Sequence, residues 1–218
     1  MLFGPERVIA CPDCRHPALV FTLRSGNTIG AVSWTDGKMS APMLPQAPPV
    51  TRCPGCDRFY WVADAQALGE LELGSAQPIP AQWAAAQPIR ALSADELLHA
   101  LKAGLGSDPR REQQLRTLAW WAANDLRRPP DFEPSREFHT PLTPAAKANL
   151  RRLYDLLDPD DPEELIFKAE AARELGEFSI AAALLARQLP ARYETAAGQI
   201  RKLIEQADLL VRVLDSAP

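Results

Sequence analysis

The chain has no apolar run approaching the 18 or more residues that a bilayer-crossing helix needs. Its first residues, Met1-Leu2-Phe3-Gly4-Pro5-Glu6-Arg7, lack the charged and apolar regions of an export signal. These absences predict a soluble protein without a membrane partner, with the cytoplasm as its default location. Histidine is scarce too. The three present, His16, His99 and His139, fall in different segments, and no Gly-rich phosphate loop, Gly-X-Ser-X-Gly elbow or His-Glu-X-X-His helix accompanies them. The expectation is therefore a protein that is not an enzyme, with no catalytic residues and no organic cofactor. An excess of basic charge is also missing: residues 1–75 hold 6 Lys+Arg against 7 Asp+Glu, residues 76–128 hold 7 against 5, and residues 129–218 hold 11 against 16. That balance argues against a nucleic-acid partner, which would need clustered cations.

What the chain does have is four cysteines in two matched pairs, Cys11-Pro12-Asp13-Cys14 and Cys53-Pro54-Gly55-Cys56. A two-residue spacer lets a tight turn aim two sulfurs at one point, so two such turns can complete a thiolate tetrahedron around one ion. Proline in each turn pre-sets φ, and Gly55 supplies permissive backbone. With no fifth cysteine, the count closes at four ligands and leaves no open position, as in structural rather than catalytic zinc. Disulfides would need an oxidising compartment. A dithiol redox centre would place one pair at the start of a helix beside a βαβ unit, whereas strand-like sequence flanks both pairs here. Iron in a rubredoxin-like site shares the four-thiolate geometry and remains a second possibility. His16, two residues after Cys14, is expected beside the shell rather than in it.

Residues 7 to 63 read as a small β unit. Leu19 to Leu23 and Ile29 to Thr35 suggest strands, Asp36-Gly37 a turn, Ala41 to Pro49 a proline-rich extended loop, and Phe59 to Val62 a closing strand. The two Cys-Pro-X-Cys turns with strand-like runs after them resemble the knuckles of a zinc ribbon. The resemblance implies ligation of one zinc ion by Cys11, Cys14, Cys53 and Cys56 and leaves function open, since ribbons serve nucleic-acid binding, protein docking and plain stabilisation. Trp34, Tyr60 and Trp61 are candidates for a recognition surface, or else for a face packed on the rest of the protein. Residues 64 to 92, interrupted by prolines, read as a linker packed locally through Trp83, with a domain boundary between residues 77 and 78.

Beyond that point the signals are helical. Ser93 to Glu96 is a capping box opening a helix that Gly104 stops. Asp108-Pro109, Thr143-Pro144 and Asp161-Pro162 each pair a cap with proline at the first helical position. The acidic run Asp158, Asp160 and Asp161 fits capping, since its spacing fails the calcium-loop pattern. A fifth helix is expected to reach Leu189-Pro190, and a sixth to run from about Ala191 to Leu214. Residues 162 to 190, with Leu175-Gly176-Glu177-Phe178 and Ala181, resemble one tetratricopeptide hairpin, without the further repeats a solenoid needs. The expected architecture is α+β: an antiparallel β zinc ribbon (1–77) followed by an all-α domain (78–218), either tetratricopeptide-like or a bundle. The expected role is a zinc-binding adaptor for another protein, with a nucleic-acid accessory factor as the alternative. Replacing Cys11 or Cys53 by serine is expected to melt the β unit while the helical signal largely persists.

Overall fold

The computed structural model describes residues 1–72, 79–128 and 140–214. Ten short strands precede the first of six α-helices among these residues. The strands are β1 (Leu2–Phe3), β2 (Glu6–Ala10), β3 (Pro17–Val20), β4 (Leu23–Ser25), β5 (Val32–Ser33), β6 (Met39–Ser40), β7 (Val50–Arg52), β8 (Phe59–Trp61), β9 (Gln66–Leu71) and β10 (Gln87–Pro88). The helices are α1 (Ala94–Lys102), α2 (Pro109–Asp125), α3 (Pro144–Leu156), α4 (Pro162–Glu174), α5 (Phe178–Leu185) and α6 (Ala191–Glu205). Strands and helices are thus both present, in chain order. No helix among the described residues is long and apolar enough to cross a membrane.

Contacts divide the chain into two compact units: residues 1–31 with 40–92, and residues 32–39 with 93–218. The boundary expected between residues 77 and 78 lies outside the described residues; the contacts change units between Leu92 and Ser93.

In the first unit β2 is the centre of a sheet ordered β10-β3-β2-β9, antiparallel to β3 and β9, with β10 parallel to β3. Val8, Ile9 and Ala10 of β2 are buried, and Ile9 packs in a core with Ala18, Val20, Tyr60 and Val62. The segment read as a linker therefore supplies two strands. Gln66-Ala67-Leu68-Gly69-Glu70 has little β-branched or aromatic character to announce a strand, and pairing with β2 overrides that weakness. Gly69 permits the packing of Trp83: a Cβ there would lie 2.5 Å from the indole. The strand expected over Leu19 to Leu23 breaks at Phe21-Thr22 into β3 and β4, and the one expected over Ile29 to Thr35 shrinks to β5.

The second unit begins with a loan from the first half of the chain. Residues 32–39 form a hairpin whose turn uses Gly37 at φ +79°, with the Gly37 amide donating to the Trp34 carbonyl at 2.9 Å. The helices follow their caps. Ser93 and Glu96 form the reciprocal capping box, and Asp108, Thr143 and Asp161 each accept from a first-turn amide. Asp161 Oδ1 accepts from Glu163 and Glu164 and caps α4, while Asp158 Oδ1 accepts from Asp160 N–H in the turn before it. The α4–α5 hairpin turns through Gly176 at φ +84°; Glu177 N–H bonds the Ala172 carbonyl and Gly176 N–H that of Arg173, closing a Schellman motif. Leu165, Ala169, Leu185, Ala197 and Ile200 pack α4, α5 and α6 together, while Trp120, Leu150, Leu153 and Ala171 pack α2, α3 and α4.

Two helices end earlier than expected. α5 stops at Leu185, and α6 stops at Glu205 instead of near Leu214. The second case has a clear cause. Past α6 the carbonyls are bonded by buried guanidinium groups rather than by helical amides: Arg173 donates to Asp208 O and Leu210 O, and Arg127 to Leu209 O. The extended tail then pairs with the borrowed hairpin, through Thr35 N–H to Arg212 O at 2.8 Å and Leu214 N–H to Ser33 O at 2.8 Å.

Those guanidiniums belong to a buried polar network that no motif announced. Asn124 Nδ2 donates to Asp36 Oδ2 (2.9 Å) and to Glu174 Oε1 (3.0 Å). Trp120 Nε1 also donates to Glu174 Oε1, and Arg127 donates to Glu174 Oε2 at 2.8 Å. Arg128 holds Asp36 at 2.5 Å, and Arg173 holds Glu170 through two bonds of 2.7 and 2.5 Å. Three acids, Asp36, Glu170 and Glu174, thereby balance three arginines, as burial of charge requires. The adjacent tryptophans divide their roles: Trp120 is buried against Glu174, and Trp121 donates to the Asp36 carbonyl at 2.9 Å.

Candidate metal centre

Each cysteine pair is the turn of a β-hairpin. Ala10 faces Pro17 across β2–β3, and Arg52 faces Phe59 across β7–β8, leaving six residues in each turn. The two turns repeat one another bond for bond. Cys11 N–H donates to His16 O at 2.9 Å and Cys53 N–H to Arg58 O at 2.9 Å. Arg15 N–H returns to Cys11 O at 3.0 Å and Asp57 N–H to Cys53 O at 2.8 Å. The fifth residue of each turn takes the left-handed conformation, Arg15 at φ 65° and Asp57 at φ 66°. Two turns that share only Cys-Pro-X-Cys adopt one backbone, and that shared shape aims each pair of sulfurs.

The four sulfurs converge. Cys11 Sγ lies 3.8 Å from Cys56 Sγ, Cys14 Sγ lies 3.6 Å from Cys53 Sγ, and all four lie within 4.8 Å of one another. A regular tetrahedron with metal–sulfur bonds of about 2.3 Å has sulfur–sulfur edges of roughly 3.8 Å, so the donor set fits one four-coordinate ion. Cys11 and Cys53 are buried in the core with Ile9, Val20 and Tyr60, Cys56 is half-buried and Cys14 is exposed. The cluster is thus seated on the sheet at one end and open at the other.

Electrostatics sharpen the case. The His16 backbone amide lowers the pKa of Cys14, whereas burial pushes Cys53 up to about 12 and raises Cys56 as well. Burial, and then the neighbouring sulfurs, push the Tyr60 phenol up. Four thiols this close cannot all ionise without a cation between them, so ion binding and proton release are one event. Gly55 N–H donates to Cys53 Sγ at 3.3 Å, a contact that favours the thiolate.

The turns also brace each other, and the third and sixth positions of each do it. The His16 ring lies against Gly55, where a Cβ would come within 2.9 Å of Cγ and Nδ1. In the mirror-image relation Arg58 reaches Asp13 at 3.6 Å. The spacing of cysteines hides these partners, but aligning the two motifs at their first cysteines puts His16 beside Arg58 and Asp13 beside Gly55. His16 stands beside the thiolates as expected, and Asp13 and Arg58 were missed.

The remaining candidates separate. His99 lies in the last turn of α1, away from the cysteines in sequence and in unit, and His139 lies outside the described residues. Trp34, Tyr60 and Trp61 do not form an exposed recognition surface, being only 3 %, 4 % and 4 % accessible. Tyr60 packs beside Cys11 and Cys53, while Trp34 belongs to the helical unit, under the Arg128 guanidinium at 4.7 Å. The helical unit does carry an open cleft of about 350 Å³ between α4 and α6, walled by Ile166, Phe167, Tyr193 and Trp34 with Glu163 and Arg192 among its polar residues. Compared with family models, with curated proteins and with solved structures, the chain matches none.

Proposed function

We propose that the protein is a non-enzymatic, zinc-stabilised adaptor whose helical unit docks another protein. The observation that carries the metal half is the four-sulfur cluster, with its 3.6 and 3.8 Å edges and two superimposable turns. Four thiolates leave no position for substrate or water, which favours a structural ion over a catalytic one. Zinc is the ion of choice for such a closed tetrahedral sulfur set, with iron the competitor. In fold terms we read residues 7–63 as a zinc ribbon that carries the borrowed hairpin as an insert, and α4–α5 as a tetratricopeptide-like hairpin. The docking half is supported by the aromatic cleft between α4 and α6, where large flat side chains and one residue of each charge sit together.

The test has two arms. Metal analysis of purified protein should find one zinc per chain, lost in parallel with thiol substitution in Cys11→Ser or Cys53→Ser, and the protein should be colourless; a coloured protein or no bound metal refutes the zinc assignment. Affinity capture with the tagged full chain, with nuclease present, should return a stoichiometric protein whose retention falls at least about tenfold with Phe167→Ala or Tyr193→Ala. Capture that disappears on nuclease treatment would instead favour nucleic acid.

A further inference from the structure

The hairpin 32–39 lies in sequence between the two halves of the metal site, after Cys14 and before Cys53, yet it folds as part of the helical unit. Its attachment there is substantial. Asp36 is completely buried and accepts from Asn124 and Arg128; Trp121 donates to its carbonyl; Lys38 pairs with Asp125 at 2.6 Å; and Thr35 and Ser33 bond the tail beyond α6. Gly37 sits so close to Phe167 that a Cβ would fall 2.3 Å from the ring. The helical unit is therefore incomplete without eight residues that the metal-binding segment holds at both ends.

From this topology we infer that metal loading of the cysteine cluster controls the stability of the helical unit, with the Asp36 hairpin as the coupling element. The inference rests on the metal assignment above. Binding an ion at the two turns closes the chain between Cys14 and Cys53, the segment that carries the hairpin. Without the ion the small β unit loses its main support. The hairpin then hangs on a flexible tether, and docking it costs loop-closure entropy that the loaded protein has already met. Once the hairpin leaves, Arg128 keeps Asp125 as a partner at 2.9 Å, but Asn124 loses its Asp36 bond, Trp121 loses its acceptor and the tail loses its strand partner. The helices persist in the stripped protein, in a loosened form that melts earlier. Coupling of this kind must be reciprocal: whatever the ion does for hairpin docking, docking does for ion affinity.

Reciprocity supplies the experiment, made on the full chain. Helical unfolding is followed at 222 nm with one zinc bound and after removal by chelator, and zinc affinity is measured by competition with a chromophoric chelator, in wild type, Asp36→Asn and Thr35→Val. Removing zinc should lower the helical melting temperature of wild type by about 5–15 °C. Asp36→Asn, distant in sequence from every cysteine, should weaken zinc binding about tenfold or more, and its melting penalty should shrink in the stripped protein. Thr35→Val, which removes only the acceptor of the Arg212 amide at 3.1 Å, should move both quantities the same way by less, and it keeps the test valid if Asp36→Asn does not fold. A chain that binds zinc through four thiolates but melts identically with and without it, and whose variants bind zinc like wild type, would overturn the coupling and leave the metal assignment standing. A chain that binds no metal would overturn both.

Discussion

Replacing Arg173 with methionine tests the energetics of the buried network directly. Arg173 is wholly inaccessible and holds Glu170, one turn earlier on α4, through two hydrogen bonds of 2.7 and 2.5 Å. Burial by itself would lower its pKa, but the Glu170 charge, followed by those of Glu174 and Asp208, raises it, so the arginine is charged in the fold. It also donates to the carbonyls of Asp208 and Leu210, which have left the helical ladder. Methionine roughly preserves the volume. It strands the Glu170 carboxylate, at a cost of about 3–5 kcal/mol for breaking a buried pair, and leaves two carbonyls short of donors at about 1–3 kcal/mol each. These terms overlap, so a total of about 4–7 kcal/mol is reasonable, a large part of the stability of a typical domain. Urea unfolding followed at 222 nm reads the loss. The double variant Glu170→Gln with Arg173→Met removes the stranded charge and keeps the carbonyl defect, so it should recover about 2 kcal/mol or more. A single substitution costing under about 1 kcal/mol, or a double variant no better than the single, would refute the assignment of a dry, mutually dependent ion pair.

Four further outcomes follow from individual groups. Ala207 occupies the left-handed position (φ 52°) of a Schellman motif closing α6, where Asp208 N–H bonds Leu203 O and Ala207 N–H bonds Ile204 O; Ala207→Gly should stabilise by about 0.5–1 kcal/mol, read as a higher urea midpoint. Gly55→Ala drives a methyl group into the His16 ring and should destabilise by about 1–3 kcal/mol, with relief in the double variant that also carries His16→Ala. Burial, then the Glu170 charge, pushes Glu174 up to about 7 against Arg173 and Arg127; because the folded value is above the unfolded one, its stabilising contribution is full below about pH 4.5 and is lost as pH rises through about 7. Urea midpoints should fall across that window, and Glu174→Gln should flatten the slope. Acid should release the bound metal, since each thiolate must be protonated as it leaves, and the metal content of dialysed protein at stepped pH gives the midpoint.

The features legible in the sequence are those written in short, local chemistry. Cys-Pro-X-Cys fixes a turn in four residues, and Ser93-Ala-Asp-Glu96, Asp108-Pro109, Thr143-Pro144 and Asp161-Pro162 fix helix starts the same way; all of these stand where expected. Glycines at 104 and 176 end helices for an equally local reason, a positive φ that costs glycine nothing. β9 was illegible because Gln66 to Leu71 is a strand only by virtue of β2 beside it. The early end of α6 was illegible because the helical periodicity continues through Val211 while the competing partners, Arg127 and Arg173, are 82 and 37 residues away at Leu209 and Leu210. Trp34 was assigned to the wrong unit for the same reason: sequence places it among the cysteines, and only the partners of Asp36 place it among the helices.

Asp36 shows how a residue can look like turn chemistry and be more. Asp-Gly is a strong hairpin signal, and it is satisfied here, with Gly37 left-handed and Lys38 N–H bonded to Asp36 Oδ1 at 3.1 Å. That reading uses one oxygen and stops at the surface. The second oxygen accepts from Asn124 and Arg128, 88 and 92 residues further along, inside a unit whose helices carry two more buried acids. A turn that needed only a loop aspartate would expose it to water, whereas this one is inaccessible and opposite an arginine. The desolvation this demands is recovered only while the hairpin is docked, so Asp36 holds the hairpin on the helical unit. That residue lies in sequence between Cys14 and Cys53, so the coupling inferred above would make ion affinity and helical stability depend on one another, and the chelator experiment on Asp36→Asn tests it.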